Sequence, residues 1–409
     1  MKIEILTTGD EILQGVIVDT NSAWIAERCQ MLGHEVTGHT SVGDDEKAIV
    51  DAIKAAAGRA DCVIVSGGLG PTVDDITVPA AAKAFGKKLY LDEAVLAEIK
   101  SFFARMGRPM ASTNEKQAMI PEGGKALANR VGTAPGIQVK LGSAECFFLP
   151  GVPRELYQIF EESVFPWLKG RASGACESRI LRCFGLPEAT IDERLQGVNL
   201  AGSRLSFRVK FPEILLKLIA RADNPKDAEK SVASAATEIR ERLGHIVYGE
   251  GETCLPEVVG RMLCDRKMTV AVAESCTGGL IASYLTDVPG SSEYFERGIV
   301  SYSNQAKQDL LQVSVDVLRA NGAVSRECAM AMAEGVRRLS GATIGIATTG
   351  IAGPGGGTPE KPVGTVHMAI AAPGKTEAYE YSFTGDRERL KQMFAMTAIN
   401  MVRKYLLSI

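Results

Sequence analysis

At 409 residues, the chain is too long for a single compact core and implies two or three domains. Its 45% hydrophobic and 23% charged residues are ordinary for a soluble globular protein, and a net charge of -3 argues against a general grip on nucleic acid. No apolar run approaches the ~20 residues of a membrane span, and the nine scattered cysteines form no C-x-x-C pair, the pattern of free thiols in a reducing cytoplasm.

From Met1 to about Gly170 strand and helix signals alternate. Lys2 to Thr8 reads as a strand from the outset, which leaves no room for a signal peptide. Ser22 to Leu32 reads as a helix ending at Gly33, His34 to Val42 as a second strand and Glu46 to Ala57 as a second helix. Cys62 to Ser66 is a continuous apolar strand running into Gly67-Gly68, and Glu145 to Leu149 is a last strand before a helix reaching Trp167. Fully apolar strands between helices predict a mainly parallel sheet covered on both faces.

A seam of low apolar content, Gly170 to Glu177, leads into a small α+β unit ending near residue 252. Its predicted strands are Ile180–Phe184, Leu205–Lys210 and Ile214–Arg221, and its helix is Ala228–Leu243. The order is similar to a KH-like module, but no G-x-x-G loop is present, so nucleic-acid binding is not expected of it. From about Thr253 a second α/β domain begins, with a helix at Pro256–Cys264 and strands at Met268–Ala273 and Thr343–Ala347. The expected architecture is two three-layer α/β domains, 1–170 and 253–409, linked by the α+β unit at 171–252. Dimerisation is the expected self-association, because two-fold dimers are the commonest assembly.

Two glycine and acid clusters stand at strand ends in the first domain: Thr7 to Gly15, and Ser66 to Thr77 with Gly67, Gly68, Gly70, Asp74 and Asp75. Asp44-Asp45 follows the second strand. Open α/β sheets bind ligands beyond the carboxyl ends of their strands, glycines admit a phosphate to backbone N–H groups, and carboxylates hold a divalent metal. The clusters match neither a Walker A loop nor a dinucleotide fingerprint and suit a nucleotide-like or pterin-like ligand. The run Gly-Gly-Leu-Gly-Pro-Thr-x-Asp-Asp-x-Thr, the opening Thr-Gly-Asp-Glu-Ile-Leu-x-Gly, Asn114 to Ala118 and Pro150 to Glu155 together resemble the molybdopterin-binding fold as it occurs in CinA proteins. The resemblance implies metal-dependent hydrolysis of ADP-ribose-type pyrophosphates. It would place Gly67, Gly68 and Gly70 at the phosphate and Asp44, Asp74 and Asp75 at the metal.

In the last domain, Ala273-Glu274-Ser275-Cys276-Thr277-Gly278-Gly279 follows an apolar strand and precedes a helical pattern from Leu280 to Leu285. A strand–turn–helix of this kind sets backbone N–H groups beside a hydroxyl or thiol, where they could meet a phosphate or an oxyanion. Downstream stand Gly298-Ile299-Val300-Ser301-Tyr302, then Lys307, then the loop Thr349 to Thr358 with Gly350, Gly353, Gly355 and Gly356, and finally Arg387. An amide hydrolase without His or metal needs a serine, a lysine neutral enough to take its proton, and donors for the oxyanion. Ser275, Lys307 and Tyr302 supply the first parts, and Arg387 would pair with a ligand phosphate, with Arg389 its nearby alternative. Only His367 lies in this domain, so the thiol of Cys276 lacks a His partner and reads as structural.

Ala-Glu-Ser-Cys-Thr-Gly-Gly, Tyr-Ser-Asn-Gln-Ala-Lys and Thr-Gly-Ile-Ala-Gly-Pro-Gly-Gly-Gly resemble the carboxy-terminal domain of the CinA family, the nicotinamide-nucleotide amidase. The resemblance spans essentially the whole chain. It implies hydrolysis of nicotinamide mononucleotide to nicotinic acid mononucleotide and ammonia, in pyridine nucleotide salvage and with no cofactor. Ser275 would be nucleophile, Lys307 base and Tyr302 its assistant. Cys276, Thr277, Gly278, Thr349, Gly350, Gly353, Gly355, Gly356 and Arg387 would surround the substrate. A non-catalytic ligand-binding or scaffold protein of DNA uptake or damage response is the alternative reading.

Overall fold

A computed structural model describes residues 1–172 and 174–409; Ser173, inside the compositional seam, lies outside the described residues. The chain divides into two compact units, Met1–Ser178 with Ala220–Lys230, and Arg179–Ile219 with Ser231–Ile409.

The amino-terminal sheet has six strands, in the order Glu35–Val42, Lys2–Thr8, Cys62–Ser66, Ala144–Leu149, Gly136–Leu141 and Lys125–Leu127. The first four are parallel, and the last two turn back antiparallel. Alternation along each strand explains why the central ones are apolar throughout. Leu6, Val63, Val65 and Phe148 pack on one face with Ile49 and Ile53, while Ile3, Ile5, Ile64 and Phe147 pack on the other with Ile25 and Phe160. Helices are started by acids: Asp19 accepts from Ser22 N at the head of Thr20–Met31, and Asp45 from Ala48 N at the head of Glu46–Arg59.

The α+β module carries a four-stranded sheet, Arg204–Lys210, Glu213–Ala222, Ala175–Cys183 and Val247–Glu250 in that order, with the helix Pro225–Leu243. Its strand Ala175–Cys183 begins inside the low-apolar seam, five residues ahead of the predicted start, because its first residues are only half-buried and carry no apolar signal.

The carboxy-terminal sheet orders five strands as Phe295–Val300, Val270–Glu274, Ile344–Gly350, Thr365–Ala372 and Lys375–Ser382. The first three are parallel and the last two antiparallel. Val270 and Val272 face the helices Leu255–Asp265 and Arg387–Leu407, whereas Ala271 and Ala273 face Arg326–Ser340. Small residues on the second face let that helix lie close: a Cβ at Gly345 would strike the backbone of Ala333. Among the described residues no helix is long and apolar enough to cross a membrane.

Candidate active site

Three parallel strands end side by side: Ser275 and Ser301 directly follow two of them, and Thr349 is the last residue but one of the third. Register pairs Glu274 with both Val300 and Thr348. Two backbone bonds extend the sheet one step further, Ser275 N to Thr348 O at 3.0 Å and Ser301 N to Glu274 O at 2.8 Å. Opposite them Ser303 caps the helix Asn304–Leu311 by accepting from Ala306 N. Lys307, one turn inside that helix, is thereby aimed back at the strand ends.

Lys307 is 1% exposed, and its Nζ donates to Ser275 Oγ at 3.0 Å, Ser301 O at 2.8 Å and Tyr302 O at 3.2 Å. All its bonds go to neutral oxygens, and no carboxylate forms an ion pair with it among the described residues. Burial therefore pushes its pKa below the usual 10.5. The neighbouring thiols of Cys276 and Cys328 would raise it only as thiolates, and burial holds them up at about 12 and about 11, so they are neutral near pH 7. A buried lysine biased toward the free amine, hydrogen-bonded to a serine hydroxyl, can take that hydroxyl's proton.

A recess of about 200 Å³ opens over this pair, lined by Ser275, Cys276, Tyr302, Lys307, Thr349, Gly350 and Arg387 together with Ala323 and Val324. Arg387 donates to Gly353 O and, at 3.2 Å, to the Tyr302 hydroxyl, and it forms no ion pair among the described residues. Arg389 instead lies over the Phe211 ring and 3.9 Å from Asp386. The geometry separates the two arginines that the sequence left open: Arg387 borders the recess.

Several expectations are corrected. Tyr302 bonds Lys307 through its backbone carbonyl, while its phenol, on a residue 62% exposed, accepts from Arg387. The helix start after Ser275 offers no open anion site. Glu274, 1% exposed, accepts from Gly279 N at 2.9 Å, Ile281 N at 3.1 Å and Ala282 N at 2.9 Å. That carboxylate occupies the orphan donors of the helix Leu280–Thr286 and offsets its dipole. Gly278 N is turned to Ser275 O. The N–H groups of Cys276 and Thr277 bond no oxygen of the chain among the described residues, and of the two only Cys276 borders the recess, Thr277 being fully buried.

The Thr277 hydroxyl is fully buried against the Thr348 hydroxyl at 2.9 Å, away from any substrate. Thr349 gives its hydroxyl proton to Ala323 O at 2.7 Å, fixing the wall of the recess. Gly355 and Gly356 do not line the recess, and Gly353 acts through its carbonyl on Arg387. Two contributors escaped the sequence reading. Glu274 was hidden as the polar last residue of an apolar strand. Lys361 holds the glycine-rich loop by donating to Val324 O at 2.6 Å.

The amino-terminal unit has a larger recess, about 640 Å³, at the carboxyl ends of its parallel strands. Gly67, Gly68, Gly70, Asp44, Asp74 and Asp75 all line it, together with Asn21 and Glu155. At Gly68, φ is +66° and a Cβ would collide with the Thr77 hydroxyl, so the bare backbone is required there. Asn21 is 7% exposed; its amide donates to Ser66 Oγ and Gly151 O, and its Oδ1 has no partner among the described residues.

The three acids do not assemble as a metal set: among the described residues no cluster of three or more such ligands could hold an ion. Asp75 Oδ2 accepts from Thr72 N and the Thr72 hydroxyl, and Asp44 Oδ2 accepts from Asp10 N while the Asp44 N–H donates to Asp10 Oδ1. Burial first, and then Asp10, Glu11 and Asp74, raise the pKa of Asp44.

These features define an α/β chain with a buried serine–lysine pair in one unit and a glycine-cradled recess in the other. Residues 4–170 match the family described as probable molybdopterin binding domain, 178–249 the damage-inducible protein CinA KH domain, and 252–406 the CinA C-terminal domain. A CinA-like protein of Syntrophotalea carbinolica is 46% identical over 99% of this chain and 98% of its own, and one from Dictyoglomus thermophilum is 42% identical over the full length of both. Among solved structures, the competence/damage inducible protein CihA from Agrobacterium tumefaciens is 41% identical, covering 37% of this chain and 96% of its own with a TM-score of 0.36. The chain belongs to the CinA family.

Proposed function

We propose that the protein is a nicotinamide-nucleotide amidohydrolase, which hydrolyses nicotinamide mononucleotide to nicotinic acid mononucleotide and ammonia. The buried Lys307–Ser275 pair carries this reading. Lys307, as the free amine, takes the Ser275 proton while Oγ attacks the carboxamide carbon. The oxyanion is met by the N–H of Cys276 at the edge of the recess. The lysine then returns the proton to the leaving ammonia, and water, activated by the same amine, releases the acid. Arg387, without a carboxylate partner, supplies the charge for the substrate phosphate. The unpaired state of all nine cysteines supports a reducing, cytoplasmic setting.

The test is ammonia release from nicotinamide mononucleotide by the wild type, Ser275→Ala and Cys276→Ala. Loss in the serine variant alone is expected. Loss in the cysteine variant alone would overturn the mechanism, and an inactive, folded wild type would return the chain to the scaffold reading.

A second reading concerns the amino-terminal recess, and the unpartnered Asn21 Oδ1 beside the bare glycine turn favours it. The recess would take a phosphorylated nucleotide of the ADP-ribose type, with phosphate at the Gly67–Gly70 backbone and a hydroxyl or amine at Asn21. Titration with ADP-ribose, with and without a divalent metal, separates binding from hydrolysis; failure to bind in either condition would end this reading.

A further inference from the structure

A third cavity, of about 420 Å³, lies within the carboxy-terminal unit, away from both sites above. Its walls are apolar and aromatic: Pro187, Phe211, Tyr381, Phe383, Met393 and Met401. Phe383 is stacked on Tyr381 with centroids 5.9 Å apart, and both rings line the cavity, with the buried Phe394 tilted against Phe383 behind them. Phe211 remains 38% exposed.

The polar groups around this face are unbalanced in sign. Glu213 is the one carboxylate lining it, and both its oxygens are taken, by the Tyr248 hydroxyl and by Arg182 at 2.5 Å. Arg403, 3% exposed, has among the described residues only neutral acceptors, Asn400 Oδ1 at 2.9 Å and His245 O. Asn400 lines the cavity, and its Nδ2 bonds nothing in the chain among the described residues. Lys404 stands at the rim and has no ion pair among the described residues. Lys404 thus borders the cavity without a counter-charge, and the buried Arg403 reaches its wall only through Asn400 Oδ1. His245 senses them: after burial, Lys404, Arg403 and Arg194 push its pKa down.

We propose that this cavity binds a small amphipathic anion, an aromatic or acyl carboxylate or sulfonate whose apolar body lies on Phe383 and whose charge sits at Asn400 and Lys404. The volume is that of a small-molecule site, and a few donors in an apolar wall are what fixes such a ligand's orientation. The assignment is independent of the amide hydrolysis.

The experiment is a fluorescence titration of the full chain with 8-anilinonaphthalene-1-sulfonate, beside the uncharged N-phenyl-1-naphthylamine. Both are repeated on Lys404→Glu and Phe211→Ala, whose folding is checked by circular dichroism. Saturable binding of one sulfonate per chain is expected, about tenfold or more tighter than the uncharged probe. Lys404→Glu should weaken it about tenfold, and Phe211→Ala should weaken both probes. Equal affinity for the two probes would overturn the charge assignment. Binding untouched by either variant, or none in the wild type, would overturn the site. Loss of binding as protein concentration rises would show a second copy covering the cavity, which also overturns the proposal.

Discussion

The Nζ of Lys307 lies 3.0 Å from the Oγ of Ser275, and no carboxylate stands in ion-pair contact with either among the described residues. Burial is therefore the largest influence on when this lysine is free to act, and it lowers the pKa from 10.5. Amide hydrolysis should rise with pH along a limb whose midpoint lies below 10.5. Lys307→Arg keeps the charge but cannot lose its proton near neutrality. It should cost about a thousandfold in kcat, as should Ser275→Ala. Between the folded and unfolded pKa values of Lys307 the unfolded chain binds more protons, so this group makes the fold more stable as pH rises through that window. A pH–rate profile and pH-dependent thermal unfolding check both; a flat profile for the wild type from pH 6 to 10 would remove Lys307 as base.

Glu274 sets the turn that carries Ser275, because its two oxygens take three N–H groups. Glu274→Gln would turn one NH₂ against a backbone donor, at a cost of about 2 kcal/mol. The expected result is a lower Tm and a kcat reduced about tenfold with KM little changed. Unaltered Tm and kcat would show that the turn holds without this carboxylate.

The strand pattern was legible because the central strands are apolar on both faces, and Ser275 and Lys307 were legible because each sits in a distinctive local run. Their distance was not. It depends on Ser303 starting a helix and on Ser301 extending the sheet, 26 and more residues downstream of Ser275, relations that periodicity does not carry. The role of Glu274 was hidden for a similar reason. A carboxylate at a strand end reads as solvent-facing, and only the fold shows it buried over a helix start. Tyr302 misled because adjacency to Lys307 along the chain did not translate into contact by its phenol.

Arg387 and Arg389 make a direct comparison, since only the first borders the recess. Arg387→Ala should raise KM for nicotinamide mononucleotide about tenfold to a hundredfold, the worth of a charge-assisted pair. Arg389→Ala should leave it within twofold. The difference should vanish for nicotinamide riboside, which has no phosphate. If it persists with the riboside, Arg387 serves the recess in some way other than holding phosphate.

Cys276 follows the serine directly, yet its thiol is buried and pushed up to about 12. At pH 8 it should resist iodoacetamide in the folded protein and react only on unfolding. Cys276→Ala should retain most of the activity and lose about 1 kcal/mol of stability from the emptied volume. Mass spectrometry of labelled peptides reads the first and denaturant unfolding the second. Rapid native labelling at Cys276 that also abolished ammonia release would reinstate the thiol as nucleophile.

The amino-terminal recess can be tested without disturbing the amidase, because the two sites belong to different units. Gly68→Ala drives a methyl into Thr77 and should weaken ADP-ribose binding tenfold or more. Gly86 gives the matched control: its φ is +61°, close to the +66° of Gly68, but a Cβ there meets nothing within 4 Å. Gly86→Ala therefore imposes the same left-handed backbone strain, about 1 kcal/mol, without the collision. Calorimetric titration of both variants separates the two effects. Equal loss in both would assign the defect to backbone strain and detach the glycine turn from phosphate binding. Loss confined to Gly68→Ala, with ammonia release unchanged, would place the ligand at that turn.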